Sequence, residues 1–98
     1  MKTATRFLSG TPMAKVTIYT RPFCGYCTRA IKLLNDKGAD FTEIEAGFDP
    51  KMREEMISRS GGRATFPQIF VGDTHIGGCD EMMALERAGR LDPMLAQA

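Results

Sequence analysis

The chain has 98 residues, with 13 Lys and Arg against 12 Asp and Glu, for a formal net charge of +1. That length gives one domain with a modest single core, and the charge balance leaves no long-range field to gather nucleic acid or an anionic membrane. Its 43% hydrophobic and 26% charged residues are those of a globular domain, and no run approaches the roughly 18 apolar residues that span a bilayer.

The first stretch, MKTATRFLSGTP, is basic, lacks acids and shows no periodicity; a second Met follows at position 13. It reads as a disordered or vector-derived leader over 1–13, with a short organelle presequence as the alternative. The folded domain is expected over 14–98. KVTIYT (15–20) is β-branched and aromatic, hence a strand buried on both faces. RPFCGYC turns the chain, and Cys27, Ala30, Ile31 and Leu34 then mark one face of a helix, stopped at Gly38. FTEIEA (41–46) is a second strand, alternating through Phe41 and Ile44. FDPKMREEMISRSGG is a helix with Asp49 as N-cap, Pro50 in its first turn, an apolar stripe at Met52, Met56 and Ile57, and Gly61 at its end. PQIFV (67–71) and THIGG (74–78) form a hairpin over Gly72-Asp73. CDEMMALERAG (79–89) is a helix capped by Asp80, and LDPMLAQA ends the chain with a short one. The order β-α-β-α-β-β-α(-α) implies an α/β fold: a four-stranded mixed sheet with helices on both faces. The methionines recur mostly at helical spacing and read as core fillers.

Three cysteines are too few and too odd for a secreted disulfide framework, and there is no secretory signal, so a reducing, cytoplasmic setting is expected. Cys24 leaves a strand and opens a helix. The free N–H groups and positive end of the dipole there favour a thiolate, and Arg21, Arg29 and Lys32 add positive charge. Cys27 falls one turn further in, on the apolar face. An exposed nucleophile beside a sheltered partner suits thiol–disulfide exchange. Two other readings stand beside it. One is a pair of inert core cysteines, which fits Cys27 better than Cys24. The other is a zinc site from Cys24, Cys27, His75 and Cys79, whose halves are separated by a long regular βα stretch. His75 is otherwise expected at the surface, and Cys79 as a small packed residue. Pro67 at a strand start next to the first strand presents a backbone edge that an extended peptide can pair with. Gly77-Gly78 then makes a close-approach bend before Asp80 and a helix start, suited to an ammonium and a carboxylate.

IYTRPFCGYCTRAIKLL, TFPQIFVGDTHIGGCDEMMAL and GRLDPML resemble the glutaredoxin family, and its bacterial dithiol class in particular, over residues 15 to about 96. The resemblance implies a thioredoxin-like fold and a glutathione-dependent thiol transferase. Cys24 corresponds to the nucleophile that becomes glutathionylated and Cys27 to the resolving thiol. Arg21 corresponds to the base that holds the glycyl carboxylate, and Tyr26 to the aromatic flanking the tripeptide. Phe66 and the cis-proline Pro67 correspond to the edge that pairs with the cysteinyl unit, with Arg63, Thr65 and Gln68 around the groove. Gly78, Cys79 and Asp80 correspond to the γ-glutamyl end. The implied partners are glutathione and glutathionylated or disulfide-containing proteins, with the chain a monomer. Gly25 departs from the Pro common at that position. Some family members that lack this Pro resemble the present chain and bridge a [2Fe–2S] cluster between two protomers, each giving its first Cys (here Cys24), with two glutathiones supplying the remaining thiolates. A third reading is a non-catalytic thioredoxin-like binding module.

Overall fold

The structure is a computed structural model and describes residues 14–96. The leader expected at 1–13 and the last two residues lie outside the described residues. β1 (Lys15–Thr20) is the strand around which the rest is built: the sheet order is β2-β1-β3-β4. Val16 and Ile18 point to one layer and Tyr19 to the other, as the two-residue period of a strand requires, and all three are buried.

α1 (Gly25–Asp36) buries Cys27, Ala30 and Leu34, with Ile31 at the margin of the same core. It stops where Gly38 takes φ +67°, a left-handed conformation that a residue with a Cβ adopts at a cost. β2 (Asp40–Glu45) runs parallel to β1, pairing Phe41 with Val16 and Ile44 with Tyr19. Here the expected single alternating face is corrected. Phe41 and Ile44 are three apart, so they lie on opposite faces of an edge strand, Phe41 against the Val16 layer and Ile44 against the Tyr19 layer.

α2 (Pro50–Arg59) is capped by Asp49, whose carboxylate accepts from the N–H groups of Lys51 and Met52 at 3.1 and 3.3 Å. It covers the Tyr19 face with buried Met56, flanked by Met52 and Ile57. β3 (Gln68–Val71) starts one residue after Pro67. It lies antiparallel between β1 and β4 (Thr74–Gly77), with all four residues buried. β3 therefore has no free edge, and the open backbone is confined to the residues just before it. α3 (Cys79–Arg87) and α4 (Leu91–Leu95) close the Val16 face through Cys79, Met82, Leu91 and Leu95. Helices thus cover both faces, as expected. Each fully buried Ile, Leu or Met on these layers contributes about 1.5–3 kcal/mol.

The cap of α3 is a second correction. Asp80 lies inside the helix, and the N-cap is Gly78, whose N–H donates to the Glu81 carboxylate. Only half of a capping box is present: the Glu81 carboxylate accepts the Gly78 N–H, and glycine has no side chain to accept in return.

Candidate functional site

The turn between β1 and α1 is short and strained. Phe23 sits at φ +58° with its ring fully exposed. A left-handed non-glycine residue costs about 1–2 kcal/mol, and no burial offsets it here. This turn delivers Cys24 as the N-cap of α1, where its Sγ takes the place of the usual hydroxyl or carboxylate and accepts from the Cys27 N–H at 3.1 Å. Cys24 and Cys27 are joined in a disulfide, their Cα atoms 5.2 Å apart, the separation that residues one helical turn apart already have. In this oxidised form Cys24 is only 6% exposed and Cys27 3% exposed. The expected exposed nucleophile is thus corrected: both sulfurs are sheltered, and the asymmetry lies in Cys24 standing at the helix end.

No acidic residue occupies the first turn of α1, so the dipole end is uncompensated. The flanking cations are partly engaged elsewhere. Lys32 pairs with Asp36 at 2.9 Å, Arg29 lies over the Tyr26 ring at 5.9 Å, and the Arg21 guanidinium donates to the Pro22 carbonyl at 3.2 Å. The field at Cys24 is therefore chiefly that of the helix end, with Lys32 contributing less than its position in the sequence suggests.

Against the first turn of α1, which carries the disulfide, lies an open cavity of about 290 Å³. α1 contributes Tyr26 to its wall. The loop before β3 contributes Arg63, Thr65, Phe66 and Pro67, with the Phe66–Pro67 peptide cis. The start of α3 contributes Gly78, Cys79, Asp80 and Glu81. The two sides meet closely: a Cβ on Gly78 would stand 3.2 Å from the Pro67 carbonyl oxygen and 3.3 Å from Glu81 Oε1, so glycine keeps the groove open. Arg63 reaches Glu81 at 3.5 Å. The Glu81 carboxyl titrates below its ordinary range, first because it accepts the Gly78 N–H and secondarily because Arg63 is near. Asp80 is exposed and points no bond back to the protein among those described. Cys79 is a free, buried thiol whose pKa is pushed up by burial, which keeps it protonated and a poor nucleophile.

Tyr26, Arg63, Thr65, Phe66, Pro67, Gly78, Cys79 and Asp80 thus come together on one groove. Neither Cys24 nor Cys27 lines it, and two of the expected glutathione-binding residues do not either. Gln68 is fully buried and turned inward, donating to the Thr65 carbonyl and hydroxyl at 2.9 and 3.0 Å. Arg21 is not part of the cavity wall and packs close to Gly47, where an added Cβ would come 2.6 Å from the Arg21 Cβ. His75, expected at the surface, is half-buried, stacked on Phe70 with centroids 4.8 Å apart and bonded to Gln68 at 2.7 Å. Among the described residues no three His, Cys, Asp or Glu side chains converge as a metal site, and the zinc set is dispersed: Cys24 bonds Cys27, and His75 bonds Gln68. Glu81 is the wall residue that sequence reading missed. Its signal was the Gly78-x-x-Glu81 spacing, which lets a carboxylate three residues on reach back to the cap N–H.

The family profile for glutaredoxin matches residues 16–76. Glutaredoxin 3 of Escherichia coli (strain K12) is 53% identical over 83 residues, covering 85% of this chain and 99% of that protein. The solution structure of glutaredoxin from Brucella melitensis is 57% identical with a TM-score of 0.74, covering 86% of this chain and 90% of that one. The crystal structure of the buckwheat glutaredoxin–glutathione complex is 34% identical with a TM-score of 0.74, covering 85% and 81%.

Proposed function

We propose that this chain, which belongs to the glutaredoxin family and is accordingly a thiol–disulfide oxidoreductase, uses glutathione as its co-substrate and reduces glutathione mixed disulfides and protein disulfides. The observation that carries this reading is the juxtaposition of the Cys24–Cys27 disulfide, at a helix end free of acids, with a groove bearing both Arg63 and Asp80. Glutathione carries two carboxylates and one ammonium. The N–H groups at the start of α3 suit the γ-glutamyl carboxylate, Asp80 suits the ammonium, and the Thr65–Pro67 edge suits the cysteinyl backbone. Tyr26 would flank the tripeptide. Arg63 stands on the groove beside the start of α3, where it suits the γ-glutamyl carboxylate; Arg21 suits the glycyl carboxylate once it leaves the Pro22 carbonyl.

In the reduced protein the Cys27 N–H that now faces Cys24 Sγ would face a thiolate, a charge-assisted bond added to the helix field. That thiolate attacks the glutathione sulfur of a mixed disulfide, expelling the protein thiolate, which takes a proton from water. Cys24 is left glutathionylated. The thiolate of a second glutathione attacks that glutathionyl sulfur, forming glutathione disulfide and returning the Cys24 thiolate. With a protein disulfide, Cys24 forms the mixed disulfide with one protein sulfur. Cys27 then attacks Cys24 Sγ and releases the protein dithiol, and two glutathiones reduce the resulting Cys24–Cys27 bond. We place this chemistry in a reducing, cytoplasmic setting, in keeping with the free thiol of Cys79. Intact-mass analysis after exposure of the reduced protein to glutathione disulfide tests the reading: one glutathione on Cys24 in Cys27→Ser is expected, and none on Cys24→Ser. Modification that persists in Cys24→Ser would contradict it.

One observation favours a second, compatible role. Gly25, the residue after Cys24, has no other heavy atom within 4 Å of where its Cβ would stand, so nothing overhangs that side of the helix start. One chain offers a single helix-end thiolate, so a [2Fe–2S] cluster would be held by Cys24 of two copies and two glutathiones; when bound it supplies one-electron chemistry. Anaerobic reconstitution with iron, sulfide and glutathione should give a coloured dimer, lost in Cys24→Ser. A colourless monomer would count against it.

A further inference from the structure

Behind the groove wall stands a short relay of side chains. Gln68 is fully buried on β3. Its amide nitrogen donates to the Thr65 carbonyl at 2.9 Å and the Thr65 hydroxyl at 3.0 Å, and its Oε1 lies 2.7 Å from His75 Nε2. A carbonyl only accepts, so the amide nitrogen must face Thr65 and the amide oxygen must face His75. That assigns the proton of the imidazole to Nε2. His75 is neutral near pH 7: burial, and then the charge of Arg63, hold its pKa below the ordinary value, with Glu81 opposing. The ring is fixed in plane by stacking on Phe70, itself covered by the Arg59 guanidinium at 4.2 Å.

We propose that His75 is a positioning residue for glutathionyl substrates: acting through Gln68, it fixes the backbone and hydroxyl of Thr65 and so sets the edge that leads into Pro67. The proposal rests on the reading of the groove as the glutathione site. It gives the chain's one histidine a role in binding, while the sulfur chemistry stays with Cys24. Breaking the relay leaves the sulfurs and the other wall residues in place but frees Thr65 to move, so binding of the glutathionyl half should weaken more than turnover.

The test compares wild type, His75→Phe and His75→Gln in reduction of the mixed disulfide of glutathione and mercaptoethanol at varied concentration. Phe keeps the stack on Phe70 and removes the donor; Gln places an amide N–H near the original Nε2. His75→Phe should raise KM about five- to tenfold with kcat within about twofold, and His75→Gln should return KM to within about twofold of wild type. A wild-type KM in His75→Phe, or equal impairment in both variants, would overturn the proposal. A second measurement needs no variant. Nitrogen NMR of the folded wild-type protein should show His75 protonated at Nε2, and protonation at Nδ1 alone would overturn the relay. Failure of the underlying reading looks different: wild type itself would then show no saturable turnover of the mixed disulfide.

Discussion

Two helix ends face the same groove and are built in opposite ways. α1 begins with a sulfur as its cap and carries no acid in its first turn. α3 begins with glycine and carries Asp80 and Glu81 in its first turn, Glu81 folded back onto the Gly78 N–H. Both ends have the same dipole. At α1 it is left uncompensated and acts on Cys24. At α3 it is largely met by the helix's own carboxylates, leaving a mixed surface of N–H donors, Asp80 and, across the groove, Arg63. A bare end suits the ionisation of one atom, and a self-compensated end suits recognition of a zwitterion without binding every anion.

The largest effect that could break this contrast comes from the cap of α1. Cys24→Ser should lower thiol-transferase turnover by at least about a thousandfold, since an alcohol cannot exchange with a disulfide. Cys27→Ser should keep mixed-disulfide reduction within a few fold while losing protein-disulfide reduction, read by parallel assays on the two substrate types. Next is Gly78→Val. Its Cβ would press on the Pro67 carbonyl oxygen, so KM for a glutathione mixed disulfide should rise tenfold or more while Cys24 in the reduced protein keeps its alkylation rate. Asp80→Asn removes one charge from the α3 end and leaves its shape. A three- to tenfold rise in KM, about 0.7–1.4 kcal/mol, is expected, and it should shrink as salt is raised. An unchanged KM would mean that the α3 end does not meet the ammonium.

The smallest effect is on stability. The folded pKa of Glu81 is held below its ordinary 4.5, so its contribution is complete above that value and is lost as the pH falls through the depressed folded value. Wild type should therefore lose Tm more steeply than Glu81→Gln as the pH is lowered from neutrality past that range. Parallel curves for the two proteins would remove Glu81 from the cap.

Much of this was legible in the sequence because it is written locally. The boundaries of β1, α1 and α2 follow from β-branched residues, a helical period, Asp49-Pro50 and Gly38, each a short-range signal. Pro67, the glycine pair and Asp80 were legible from strand and helix starts that the sheet order brings together, and the rest of the groove through the family resemblance. Direction was not legible. Phe41 and Ile44 serve opposite layers because β2 is an edge strand between two cores. Gln68 turns inward, to bond Thr65 and His75, although it adjoins the groove in sequence. The cap of α3 passed from Asp80 to Gly78 because a bond from the backbone to Glu81 decides it, and glycine carries no side-chain signal of its own.

The bare end of α1 can be examined directly. In the reduced Cys27→Ser protein, the alkylation rate of Cys24 by iodoacetamide is followed against pH by mass spectrometry. Half-maximal reactivity should fall well below the value of about 8.5 for a free cysteine, and an Asp placed in the first turn by Thr28→Asp should move it upward. A midpoint at or above the free-cysteine value would contradict the account.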